Sequence, residues 1–160
     1  MARDRRANIM TTICPTCGIS VLEHPANRCL DNWVAEKVMA WERMRYFGGV
    51  PNADSWVGFW DGEWFRWIER PQSDDDEISK PWSPSTDIAA AWEVVEKLKA
   101  LGFSILRLST GDILGDWWQF HCADAYREIT RKGDKDFFAN AETPALAVCR
   151  TALLCFLSEQ

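Results

Sequence analysis

Four residues in one short stretch constrain this chain more than any other feature. They are Cys14, Cys17, His24 and Cys29, within "CPTCGISVLEHPANRC". Two cysteines two residues apart, with Pro15 between and Gly18 after, have the form of a zinc knuckle. Glycine there lets the backbone turn so that its amides can face the thiolates. Zinc takes four tetrahedral ligands, and the stretch supplies four soft or borderline ones. A site closed by four protein ligands keeps no position for water, so the spacing predicts a structural zinc rather than a catalytic one. It also accounts for how residues 1–29, with few apolar side chains, can fold, because metal affinity becomes folding energy. A redox Cys-x2-Cys is the competing reading. That motif expects a thioredoxin-like strand before it and a helix after it, which Thr16, Gly18 and Pro25 do not suit.

A chain of 160 residues can bury a core without disulfides and is most simply one domain with a small appendage. The division expected is a basic arm and knuckle over 1–29 and a main domain over 30–160. The net charge of −6 opposes a general nucleic-acid binder, which needs a basic footprint. The charge is uneven, however: Arg3, Arg5, Arg6 and Arg28 outnumber Asp4 and Glu23 before residue 30. That basic arm keeps a nucleic-acid contact open. No segment approaches the roughly 20 apolar residues of a membrane span, and no apolar run follows the first basic residues as in a secretory signal. A cytoplasmic protein is expected, with cysteines reduced or metal-bound. The ten tryptophans imply a heavy aromatic core or an aromatic binding surface.

The periodicity predicts a helix from Asp31 to about Arg45, with Leu30, Val34, Val38 and Trp41 on one stripe. In "SWVGFWDGEWFRWI", Asp61-Gly62 reads as a two-residue hairpin turn that pairs Trp60 with Glu63 and Phe59 with Trp64. One face then carries Trp56, Trp60, Phe65 and Trp67, and the other Val57, Phe59, Trp64 and Ile68. Both are apolar, so both need covering. Residues 71–86 read as a polar loop with a solvated acidic tip at Asp74–Glu77. A second helix follows, capped by Ser85 or Thr86, with Asp87 against the dipole, Gly102 at its end, and Ile88, Trp92, Val95 and Leu98 inward. "FSILRLS" and "DWWQFHC" read as strands around a turn at Gly111, followed by a third strand "YREIT" and a loop. Thr143-Pro144 opens a last helix, with Leu146 and Leu153 inward and Cys149 and Cys155 in the core. The order suggests a diverged duplication of a helix–hairpin unit.

"LDNWVAEKVMAW", "STDIAAAWEVVEKL" and "ETPALAVCRTALLCFL" resemble the phage ABA-sandwich domain family, small proteins of phages and prophages, over about residues 30–157. The resemblance implies a three-layer α/β/α sandwich with a mixed or antiparallel sheet, and a bacterial cytoplasm as the setting. It implies no established activity. The knuckle and the loops at 48–54, 71–84 and 122–141 depart from the compact family pattern.

Nothing in the spacing selects an enzyme. Neighbours His121 and Cys122 on a strand point to opposite faces and cannot form a dyad. No GxSxG, P-loop, GxGxxG or HExxH is present. A binding role is easier to support. The N-terminus of the second helix offers amides and a positive dipole end, and aromatic residues lie near it. The expected ligand residues are Trp41, Trp82, Ser85, Thr86 and Asp87, and the expected ligand is a small anionic, nucleotide-like molecule, as for a protein that sequesters a host defence signal. Asp87 partly opposes an anion there, and a plain helix cap is the blander account. The alternative is an adaptor whose zinc module and N-terminal arginines contact nucleic acid or a host protein. A homo-oligomer is left open, and a hydrolase built on acidic residues and His121 ranks last.

Overall fold

The computed structural model describes residues 13–46, 56–69, 81–110, 117–124 and 136–157. Arg3, Arg5 and Arg6, the acidic tip at 74–77, the turn at Gly111 and the strand expected at 126–130 lie outside the described residues. The described part alternates helices with strands. Helix α1 (Arg28–Lys37) is followed by β1 (Glu42–Tyr46), β2 (Trp56–Trp60) and β3 (Phe65–Glu69). Helix α2 (Ile88–Ala100) precedes β4 (Phe103–Thr110), β5 (Trp118–Asp124) and β6 (Asp136–Ala141), and α3 (Pro144–Leu157) closes the chain. The fold is mixed α/β, with two separate three-stranded antiparallel sheets ordered β1-β2-β3 and β4-β5-β6. The repeated unit is thus a helix plus a three-strand meander, one strand longer than a hairpin.

Helix α1 begins earlier than its apolar stripe suggests, because the Asn27 side chain accepts from the Leu30 amide at 3.1 Å and caps it. It also ends earlier. Ala40 takes a left-handed φ of 57°, and the Met39 and Trp41 amides fold back onto the Val34 and Ala35 carbonyls. The segment 42–46, expected to continue the helix, is strand β1. Its alternation of Glu42, Arg43, Met44, Arg45 and Tyr46 suits a strand better than a helix, and β2 offers it a partner edge. Leu30, Val34 and Val38 are buried as the stripe predicts.

The β2–β3 turn is wider than the two-residue hairpin. Trp60 pairs with Phe65 and Phe59 with Arg66, leaving residues 61–64 as the loop. One Asp61 carboxylate oxygen accepts from the Glu63 and Trp64 amides at 2.8 and 2.7 Å, and the other from Arg66 Nε at 2.9 Å. This local cap holds a four-residue turn open. The pairing moves by two residues, one full side-chain period, so Trp60 and Phe65 still share a face. Trp64 leaves the sheet altogether and is exposed, as is Trp60 in part.

Helix α2 is capped by Asp87, which accepts from the Ala89 amide at 2.9 Å, rather than by Ser85 or Thr86. Gly102, at φ 98°, terminates it. Its buried stripe is Ala90, Ala91, Val94, Val95 and Leu98, whereas Ile88 and Trp92 are exposed. The rotation follows from α3, against which α2 packs through small residues.

Helix α3 is the centre of the molecule. Every residue from Ala145 to Leu153 is buried, and so is Cys155. A helix apolar nearly all round belongs inside. It packs on β5, β6, α2 and α1, and Thr143 Oγ accepts from the Leu146 amide at its start. The buried Thr151 hydroxyl donates to the Phe120 carbonyl at 2.8 Å, joining helix to sheet. The sheet β4-β5-β6 turns Phe120, Cys122, Ala139 and Ala141 toward the helices. His121 faces the other way, so it does not meet Cys122. Among the described residues no helix is long and apolar enough to cross a membrane.

Candidate metal centre

The chain from Ile13 to Ser20 folds back on itself. Ile13 bridges Ser20, the Cys14 amide donates to the Ile19 carbonyl, and the Gly18 amide to the Cys14 carbonyl, both at 2.9 Å. Gly18 sits at φ 73°, the left-handed turn the spacing anticipates. A short 3-10 turn, Val21–Glu23, then brings His24 back, and the first turn of α1 delivers Cys29. The ligand atoms of Cys14, Cys17, His24 and Cys29 all lie within 4.8 Å of one another. These four could hold a metal ion.

The polarity of the cluster suits a cation. His24 Nδ1 lies 2.9 Å from the Pro25 carbonyl, which can only accept, so Nδ1 carries the proton. Nε2 is thereby left as the lone-pair atom and faces Cys17 Sγ at 3.1 Å. Burial pushes the Cys14 thiol up, but the Cys17 and Thr16 amides and the His24 and Cys29 side chains outweigh it, bringing the group down to about 6. Burial, followed by hydrogen bonds and charge from Cys14 and Cys17, drives Cys29 up to about 12. Cys14 and Cys29 are 3.5 Å apart at sulfur. Crowded sulfurs that compete for one proton are relieved when a cation replaces it.

The cluster is anchored from outside. Arg150 of α3, 7% exposed, donates to the His24 carbonyl from Nε at 3.1 Å and Nη2 at 2.7 Å. Its Nη1 donates to the Asn140 carbonyl at 2.7 Å, tying β6 to the same residue. The helical periodicity leaves Cys149 or Arg150 as the inward position, and no sequence signal marks this use of Arg150. Cys14 and Val21 belong to the same buried cluster as the helices. Asp31, also buried, accepts from the Ser85 amide at 2.9 Å, and burial pushes its carboxyl up to about 6 against the pull of Ser85 and His24.

The residues expected to bind a ligand are arranged differently. Trp41 and Trp82 do meet, with ring centroids 4.6 Å apart, and the Arg66 guanidinium lies 5.6 Å from the Trp41 ring. Trp82 and Ser85 are buried, and the Ser85 amide is engaged by Asp31. Thr86 is exposed and donates its hydroxyl to the Ser83 carbonyl, while Asp87 occupies the Ala89 amide in the first turn of α2. A different hollow of about 100 Å³ adjoins the knuckle, lined by Pro15, Thr16, Cys29, Trp33, Glu36 and Arg43, with Asn32 at its wall. Asn32 Oδ1 is buried without a hydrogen-bond partner among the described residues.

The fold defines the class, and the sequence comparison names it. The phage ABA sandwich domain matches residues 32–153, more than half of the chain, and the protein belongs to that family. All four cluster residues and the 3-10 turn precede the matched region. No curated protein matches the chain.

Proposed function

We propose that this is a non-enzymatic phage or prophage binding protein, acting in the bacterial cytoplasm, whose N-terminal segment is held by one structural zinc ion. The single observation that carries the zinc reading is the convergence of four ligand atoms within 4.8 Å. Zn–S bonds of about 2.3 Å and Zn–N bonds of about 2.0–2.1 Å place tetrahedral ligand atoms about 3.5–3.8 Å apart. The sulfur–nitrogen contact of 3.1 Å and the outer limit of 4.8 Å bracket that range, and the sulfur–sulfur contact of 3.5 Å lies at its lower end. Four protein ligands leave no open position, so such a zinc holds structure and activates no water.

The ligand in this reading is small, anionic and nucleotide-like, and the biological role is sequestering a host defence signal. Family membership supports the phage setting, and the aromatic richness of the chain suits a ligand that stacks. A three-layer α/β/α arrangement is part of the same reading. Native mass spectrometry of protein purified without chelator tests the metal: one zinc per chain is expected. An apo chain with three titratable thiols at the knuckle, or a disulfide there, would sink it. Calorimetry with nucleotide second messengers tests the ligand, and heat on titration is expected. No heat and no thermal shift at saturation would end that reading.

One observation favours an adaptor as the second reading. The hollow beside the knuckle presents a buried acceptor, Asn32 Oδ1, with no hydrogen-bond partner among the described residues, together with Arg43 and Glu36. A peptide of a host protein could donate to it. Asn32→Ala should weaken a host-protein pull-down while leaving the zinc stoichiometry at one; an unchanged pull-down would remove this reading.

A further inference from the structure

The outer face of β4-β5-β6 is chemically unlike the inner one. The inner face carries Phe120, Cys122, Ala139 and Ala141 into the helices. The outer face carries Arg107 and Ser109 from β4, Gln119 and His121 from β5, and Phe138 and Asn140 from β6. Cross-strand register sets these six in two rows: Arg107, His121, Phe138 and Ser109, Gln119, Asn140. Phe138 is 49% exposed, and Arg107 and Asn140 are exposed too. Arg107 is the one charged residue of the six, and the next register row adds Asp136 opposite Ala123.

The two rows are pre-arranged. His121 and Phe138 stack nearly parallel, with centroids 5.1 Å apart and planes 14° from each other. His121 Nε2 lies 2.9 Å from Gln119 Oε1, so the ring nitrogen donates and the amide oxygen accepts. Gln119 Nε2 in turn donates to Asn140 Oδ1 at 2.9 Å. This directed chain leaves the exposed Asn140 amide nitrogen at its end, presenting N–H donors to solvent. An exposed large aromatic ring on a folded protein loses its apolar surface to water, whereas a π-face beside fixed amides is what a nucleobase uses. Groups fixed before binding lose little entropy on binding.

We propose that this outer face is the nucleotide site of the protein. The base stacks on Phe138, backed by His121. Its acceptor edge takes a hydrogen bond from Asn140, which Gln119 holds in place. Its phosphate meets Arg107, two strand spacings or about 10 Å across the face from Phe138. One ring stack, one edge reader and one guanidinium are the set a single nucleotide needs. A nucleic-acid strand would require more cations than the face supplies, given a net charge of −6. The inference rests on the nucleotide-like ligand proposed above and gives it a location other than the Trp41–Trp82 pair, of which Trp82 is buried.

The test is titration of the full chain, zinc retained, with AMP, GMP, CMP and UMP, followed by NMR shifts and calorimetry, with a single-stranded oligouridine as a further arm. Binding of at least one mononucleotide is expected, with the shifts centred on Phe138 and His121. Phe138→Ala, at a half-exposed position, should raise Kd about tenfold with an unchanged melting temperature. Asn140→Ala should change the ranking among the four bases, and Arg107→Gln should remove most of the salt dependence. If the wild type binds a mononucleotide and Phe138→Ala and Arg107→Gln leave Kd unchanged, this site is wrong and the ligand reading stands. Should no mononucleotide bind at all, both fall. Binding of the oligouridine alone would overturn the proposal in favour of single-stranded nucleic acid.

Discussion

The two three-stranded meanders have the same strand order and a buried phenylalanine in each middle strand, yet they are held in different ways. In β4-β5-β6 the inner face is closed by α3, and Phe120, Cys122, Ala139 and Ala141 are almost fully buried. In β1-β2-β3, Phe59 is fully buried but Met44, Trp60 and Trp64 stay substantially exposed. One polar link runs from this sheet to a helix, Arg66 to Glu93 of α2 at 3.1 Å, while Arg66 also pairs with Asp61 of its own turn and lies over Trp41. Among the described side chains, β1-β2-β3 exposes Trp60 on the face opposite Phe59, and β4-β5-β6 exposes Phe138 on the face opposite Phe120. Burial follows from what covers a face, and a buried central helix lies against the second sheet.

The largest expected effect breaks the comparison at its two phenylalanines. Phe120→Ala should cost about 4 kcal/mol and lower the whole thermal transition, because its cavity opens against α3. Phe59→Ala should cost about 3 kcal/mol, with faster hydrogen exchange confined to β1-β2-β3. Equal loss of protection in both sheets for Phe59→Ala would mean the two fold as one unit. Arg150→Met comes next. It leaves the His24 and Asn140 carbonyls without their donor and should cost about 2–3 kcal/mol by denaturant unfolding. It should also loosen the knuckle more than β1-β2-β3.

A smaller effect lies in the β2–β3 turn. Burial raises Asp61, but the Trp64 amide, the Arg66 side chain and the Glu63 amide more than offset it and hold the carboxyl below the ordinary aspartate range. Its contribution is therefore fully present above the unfolded-state value and is lost as pH falls through the lowered folded value. NMR of the Glu63 and Trp64 amides should report a titration below the ordinary aspartate value, and Asp61→Ala should abolish it, at a cost of about 1 kcal/mol. The smallest effect has the opposite sign. Ala40→Gly, at the left-handed joint between α1 and β1, should raise stability by about 0.5 kcal/mol in chemical denaturation.

Parts of this were legible in the chain itself. The convergence of Cys14, Cys17, His24 and Cys29 and the turn at Gly18 could be read because ligand spacing and positive φ are local demands. Pro144 and Gly102 marked helix ends for the same reason. The end of α1 was not legible: residues 42–46 have neither proline nor glycine before them, and only the partner edge of β2 makes them a strand. The Asp61 turn widened because one carboxylate caps two amides and also takes Arg66, a choice made by side-chain geometry. The inward face of α2 was misread toward Ile88 and Trp92 because large apolar residues usually point inward, while close packing on α3 selects Ala90, Ala91 and Val94 instead.

What the sequence determined by itself were the quantities set over a few neighbouring residues: ligand spacing, caps, turns, charge and helix periodicity. Those depend on backbone geometry within one or two turns of chain, which any fold must respect. The tertiary structure alone decided which apolar faces are covered, that Arg150 spans 126 residues to hold His24, and that six residues from three strands form one outer face. Such pairings are chosen by the packing of the whole core, where one central helix must be surrounded, and no local stretch carries that information.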